Sequence, residues 1–137
     1  MQCIMHLEEA AGLKPSKGKV LVTGAAGGVG SLAVAILAQK GYEVVASSGR
    51  ASTLKDYFSS LGATECIGRL ERRDNRPLDR QLWAGVVDTV GGSTLATALT
   101  QTCYRCGVAS TGVAGSSALE TSVYPFILRG VRLLGVD

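Results

Sequence analysis

Histidine is almost missing from this chain of 137 residues, with His6 the sole example. One imidazole leaves too few nitrogen ligands for a zinc site built from two cysteines and two histidines, and His6 reads as a surface or junction residue. Long apolar runs are missing as well. Nothing approaches the roughly 18 uncharged apolar residues of a membrane span, and the best candidate, Val29 to Ala38, is far shorter. The N-terminus has no basic segment followed by an apolar one, so no signal peptide is expected. These absences point to a cytoplasmic protein and away from a membrane or secreted one. Charge is sparse at 18%, against 46% hydrophobic residues and a mean hydropathy of +0.23. That balance suits a buried core and excludes a disordered tail. The length suits one domain.

Cysteine is scarce too. Cys3, Cys66, Cys103 and Cys106 lie among 18 glycines and apolar stretches, in a chain that needs no covalent staple, so free reduced thiols are expected. Cys103 and Cys106 have CxxC spacing, but the redox version of that motif needs a helix N-terminus to hold the first thiolate. Here the pattern runs out of a helix and into a strand. The net charge is only +3, yet five of the nine arginines fall between Arg69 and Arg80. Glu71, Asp74 and Asp79 interleave them, and no aromatic residue follows before Trp83. A solvated loop explains this better than a surface for nucleic acid or coenzyme A phosphates.

What is present is an alternation. Lys19 to Thr23 is a short apolar run ended by glycine and reads as a buried strand. Val29 to Lys40 carries Val29, Leu32, Ala33, Ile36 and Leu37 at helical spacing. Val34, Ala35 and Ala38 are apolar too, so this helix is expected to be covered on most sides and stopped by Gly41. Strand Tyr42–Ser48 comes next, then helix Ser52–Leu61 with Thr53 and Asp56 as an approximate capping pair and Gly62 as stop. Strand Thr64–Ile67, an irregular stretch 68–81, strand Ala84–Thr89, helix Ser93–Thr102, strand Tyr104–Ser110, a weak helical turn Ser122–Arg129 and strand Val131–Val136 complete the series. Strand alternating with helix predicts an α/β fold with right-handed crossovers. Six strands in two halves predict a doubly wound parallel Rossmann sheet in the order 3-2-1-4-5-6. Gln2 to Gly12 is helical in pattern but has no N-cap, as if entered partway along. Residues 1–17 are therefore expected to be a junction helix and linker, and 18–137 the nucleotide-binding domain.

The segment Thr23-Gly24-Ala25-Ala26-Gly27-Gly28-Val29-Gly30 lies between the first strand and its helix. It matches the dinucleotide fingerprint with Ala25 in place of the first glycine. Gly27 would let main-chain amides approach a pyrophosphate, the N–H groups of Gly28 and Val29 would face it from the helix N-terminus, and Gly30 would let helix and strand pack closely. A glycine triplet alone is weak evidence, but one that follows a strand and opens a helix is stronger. No Gly-Lys-Ser/Thr follows, which excludes a P-loop.

The end of the second strand selects the cofactor. An NAD site places a carboxylate there for the ribose 2′-hydroxyl, whereas this chain reads Ser47-Ser48-Gly49-Arg50, with no carboxylate between Glu43 and Asp56. A carboxylate about 4 Å from a 2′-phosphate would cost about 4 kcal/mol at an effective dielectric of 20. Arg50 offers a fork that matches phosphate, and Ser48 a hydroxyl donor. NADPH is the expected cofactor. Two further corners, Asp88-Thr89-Val90-Gly91-Gly92 and Ser110-Thr111-Gly112-Val113, end later strands and should border the ribose and nicotinamide. Asp88 could serve equally well as a helix cap.

The segments Val22–Gly30, Ala46–Arg50, Trp83–Gly92 and Pro125–Arg132 together resemble the zinc-independent medium-chain reductases, specifically the quinone oxidoreductase type that includes acryloyl-CoA reductase. The resemblance covers essentially the whole chain. It implies NADPH-dependent hydride transfer to an activated carbon–carbon double bond in an enoyl thioester or quinone. It also implies that Ala26, Gly27, Gly28 and Val29 form the pyrophosphate turn, that Ser48 and Arg50 hold the 2′-phosphate, and that Phe126, Ile127 and Leu128 lie beside the nicotinamide. On residues alone, that last segment is only a proline-interrupted apolar turn. Such enzymes carry a second, barrel-like domain, of which nothing is expected here beyond the junction helix, and they pair edge strands across a two-fold axis. A homodimer through residues 131–136 is therefore expected.

A short-chain dehydrogenase fits the opening turn as well, but it requires a tyrosine followed four residues later by lysine. Tyr42, Tyr57, Tyr104 and Tyr124 are followed at that distance by Ala46, Leu61, Val108 and Leu128. A non-catalytic NADPH-binding domain remains a reading of the same residues, because fold does not prove activity.

Overall fold

The computed structural model describes residues 1–71 and 76–137. Arg72, Arg73 and Asn75, on which part of the arginine-loop reading rests, lie outside the described residues. The elements are α1 (Gln2–Ala10), a 3-10 turn (Pro15–Lys17), β1 (Val20–Val22), α2 (Gly28–Gln39), β2 (Val44–Ser47), α3 (Ala51–Ser60), β3 (Glu65–Ile67), β4 (Trp83–Asp88), α4 (Gly92–Thr100), β5 (Thr102–Ser110), α5 (Tyr124–Arg129) and β6 (Arg132–Gly135). All six strands pair in parallel, in the order β3-β2-β1-β4-β5-β6. This is the expected doubly wound sheet.

The period-two geometry of a strand sends alternate side chains to opposite faces, and the core divides accordingly. Val20 and Val22 of β1, with Val44 and Ala46 of β2, pack into one cluster with Ala33, Val34 and Leu37 of α2, Phe58 of α3, and Cys3, Ile4 and Leu7 of α1. Leu21 and Val45 point the other way, into a cluster with Leu95, Ala98 and Leu99 of α4 and Val131. Two helix stops behave as expected. Gly41 and Gly62, each just past a helix, have φ of +92° and +103°, a region open to glycine without steric cost.

Several boundaries differ from the sequence reading. The cap of α3 is Arg50, with no side-chain capping bond, and Thr53 donates back to the Arg50 carbonyl. The expected Thr53–Asp56 pair fails because the tight turn after β2 starts the helix one residue earlier. On α2 the apolar girdle is only partly covered: Val29 is 47% and Leu32 53% exposed. These two residues lie on the side of the helix turned away from the sheet. β5 begins at Thr102, so both cysteines of the CxxC spacing lie inside a strand. All four cysteines are free, and burial pushes the Cys103 and Cys106 thiols up, opposite to the shift a reactive thiolate needs. Among the described residues no helix is long and apolar enough to cross a membrane.

Candidate functional site

A cleft of about 1020 Å³ opens where the crossovers of the two halves part, at the carboxyl ends of β1, β2, β4 and β5. Ligands of open α/β sheets bind at this place. Its floor is the turn from β1 into α2. Gly27 caps α2 without any side-chain bond, and the turn is tightened by Gly27 N–H donating to the Gly24 carbonyl at 3.1 Å. The chain can bend this sharply because Gly24 has φ of +57° and Gly30 lies against it: a Cβ on Gly30 would fall 2.3 Å from the Gly24 carbonyl oxygen. Gly28 faces the opposite situation, since a Cβ there would meet nothing within 4 Å. The first turn of α2 thus presents bare main chain to the cleft, with Gly27, Gly28 and Val29 exposed. Amides at a helix N-terminus, aided by the helix dipole, suit an anion.

One wall is the end of β2. Ser48 is buried but lines the cleft. Its Oγ accepts the Arg50 amide at 3.1 Å, which leaves the hydroxyl proton available to donate. Arg50 is exposed and borders the cleft beside Gly49 and Arg69. The opposite wall comes from Thr89, Val90, Thr94, Thr111, Gly112 and Val113. Gly112 is bare because β5's exit crosses β4's end, where a Cβ would lie 2.6 Å from the Thr89 carbonyl oxygen.

Eight residues named from the sequence therefore meet in one cleft: Ala26, Gly27, Gly28, Val29, Ser48, Arg50, Val90 and Gly112. Four do not. Asp88 is fully buried. Its carboxylate accepts from Thr23 Oγ1 at 2.7 Å and from the Gly91 N–H at 2.8 Å, while Thr23 Oγ1 accepts from the Thr89 amide at 3.1 Å. This hub joins the ends of β1 and β4 behind the cleft, so Asp88 holds the wall and does not face it. Burial raises its carboxyl pKa, with the Thr23, Gly91 and Val90 hydrogen bonds pulling it partly back. Phe126, Ile127 and Leu128 also lie off the cleft. Phe126 packs on the α4 side of the core, and Ile127 and Leu128 border a separate depression with Tyr104, Arg105 and Arg132. The physical reason is α5 itself: it descends from the cleft toward the amino end of the sheet, where the Arg129 guanidinium bonds the Thr100 carbonyl at 2.7 Å. The corner Gly91-Gly92 is likewise shut, since a Cβ on Gly91 would lie 2.2 Å from the Ser116 carbonyl oxygen.

Sequence reasoning missed Gly24, Thr89 and Arg69 as shapers of the cleft. Thr89 could have been found from its pairing with Thr23, which ends β1. Arg69 was hidden in a run of arginines. As for metal, no group of three histidine, cysteine or acidic side chains is placed to hold an ion among the described residues.

Against known proteins, a model described as zinc-binding dehydrogenase matches residues 28–137. The acrylyl-CoA reductase AcuI of Ruegeria pomeroyi is 54% identical, over 100% of this chain and 42% of its own length. The yhdH oxidoreductase of Salmonella enterica, solved in complex with NADP, superposes with a TM-score of 0.94 at 54% identity, covering 99% of this chain and 41% of that one. Bacillus subtilis yhfP, solved with NAD bound, also gives 0.94, at 47% identity over 99% of this chain and 41% of that one. The chain thus spans about two-fifths of the length of the relatives it matches.

Proposed function

From the zinc-binding dehydrogenase family, to which the chain belongs, we propose that residues 18–137 form the NADPH-binding domain of a medium-chain reductase of activated carbon–carbon double bonds, with residues 1–17 as its junction. The single observation that carries this is the juxtaposition of two anion sites in one cleft. The open main-chain turn Gly27–Val29 suits a diphosphate, and Ser48 with Arg50 at the end of β2 suits a further phosphate. Neighbours of equal structural similarity were solved with NADP and with NAD, so the choice rests on residues. A neutral, then cationic, β2 end with no carboxylate favours the phosphorylated ribose.

When bound, the cofactor supplies hydride from nicotinamide C4 to the β-carbon of an enoyl thioester or quinone. This chain's own part is positional. The α2 amides and Ser48–Arg50 fix the diphosphate and adenosine end. The Val90 and Gly112 wall, held by the Asp88 hub, confines the other end. The cleft's depth excludes water from one side of it. The zinc of the family's name has no fitting donor set among the described residues, and no step runs through it.

Titration of the chain with NADPH and NADH, on wild type and Arg50→Ala, tests this reading. NADPH should bind more tightly to the wild type, and Arg50→Ala should erase most of that advantage, on the order of ten- to a hundredfold for a charge-assisted phosphate contact. Equal wild-type affinities would overturn the assignment. We also propose a homodimer through β6, an edge strand with one row of main-chain groups unpaired. Sedimentation at high concentration should show twice the chain mass, and a monomer would refute it.

A further inference from the structure

We propose that Arg69 is a second cation for the cofactor's 2′-phosphate, and that Gly49 lacks a side chain so that Arg69 can lie across it. This rests on the NADPH reading above and adds a residue that the strand-end motif does not contain. Gly49 is bare for want of space, since its φ is not among the positive values of this chain. A Cβ there would lie 2.9 Å from Arg69 Nε, 3.3 Å from Cζ and 3.4 Å from Nη2. The guanidinium therefore rests on the main chain between Ser48 and Arg50.

Two contacts deliver it there. Ser48 N–H donates to the Ile67 carbonyl at 3.0 Å, and Ser47 Oγ donates to the Gly68 carbonyl at 2.9 Å. Arg69 thus leaves the end of β3 directly beside the β2 turn. Both guanidinium groups border the same cleft, and the ion pairs found among the described residues engage neither. Two cations converging on one opening without a counter-charge repel each other. A dianionic phosphate between them would relieve that repulsion and accept from two forks. Stacking of Arg69 on the adenine ring is the competing use of the same position, and it would serve NADH and NADPH alike.

The test is calorimetric titration of the full chain with NADPH, NADH and 2′,5′-ADP on wild type, Arg69→Ala, Gly49→Ala and the double variant. Arg69 is exposed, and a Cβ on Gly49 meets only the far end of a flexible side chain, so these variants should fold. Circular dichroism checks that. Arg69→Ala should weaken NADPH and 2′,5′-ADP on the order of tenfold or more and leave NADH unchanged. Gly49→Ala should weaken the phosphorylated ligands when Arg69 is present and add nothing when it is absent, the signature of coupled neighbours. If the wild type prefers NADPH and Arg50→Ala removes that preference while Arg69→Ala does not, this proposal fails and the cofactor reading stands. Equal weakening of NADH and NADPH would overturn it too, in favour of adenine stacking. A wild type that does not discriminate would remove the cofactor reading itself.

Discussion

Two glycine-rich corners, one after β1 and one after β4, have nearly the same composition and opposite fates. After β1, the chain reaches α2 with exposed amides and no capping side chain, and Gly28 looks onto open space. After β4, Asp88 accepts the Gly91 N–H, and Ser116 closes over Gly91 in a parallel bridge. Each corner needs glycine, but for different reasons. The first keeps main chain uncovered for a ligand, whereas the second lets another stretch of the same chain pass close. A glycine cluster at a strand end is therefore evidence of close approach, and only the neighbours reveal whether the approaching group is a ligand or the protein itself.

The sharpest way to break the contrast is to add a methyl group to each corner. Gly91→Ala should cost most, about 2–5 kcal/mol, because positive-φ strain of about 1–2 kcal/mol adds to overpacking against the Ser116 main chain. Gly30→Ala should cost about 1–3 kcal/mol from contact with the Gly24 carbonyl. Urea denaturation measures both, and unchanged midpoints would contradict the packing described.

Next in size is Asp88→Asn, expected to lose about 1–3 kcal/mol at neutral pH, since the amide nitrogen would face either the Gly91 or the Thr23 donor. The pH profile carries a sign. Burial holds the Asp88 carboxyl above its ordinary value near 3.8, so between that value and the raised one the folded state keeps a proton the unfolded state has released. Stability from this group falls as pH rises through that window. Asp88→Asn should lack that component of the slope, and a profile parallel to wild type would refute the assignment. Smallest is Gly28→Ala, where a Cβ meets nothing and helix propensity improves. Thermal melting should show no loss, and a gain of about 0.5–1 kcal/mol. A clear destabilisation would show that the corner after β1 is not open.

The sheet and its order were legible because short apolar runs and helical spacing alternate without a break from Val20 to Gly135. The turn at Gly27–Gly30 and the Ser48–Arg50 strand end were legible because each is a local string. Asp88 misled because a strand end sends consecutive side chains to opposite sides, and only packing shows which side is the cleft. The Phe126–Leu128 segment misled because resemblance carries residue types but not the direction in which α5 runs. Arg69 escaped notice because it reaches the cleft through strand pairing across two crossovers, which no string of neighbouring residues records.

The hub between Thr23 and Asp88 also limits how the chain can assemble. β1 and β4 are apolar throughout, and hydrophobicity alone would let one slide along the other. A slide by a single residue would carry the carboxylate away from the Thr23 hydroxyl and strand it in the core, at a cost on the order of several kcal/mol. The one acid in the middle of the sheet therefore acts as an alignment mark, and misaligned pairings are discarded before the cleft can form.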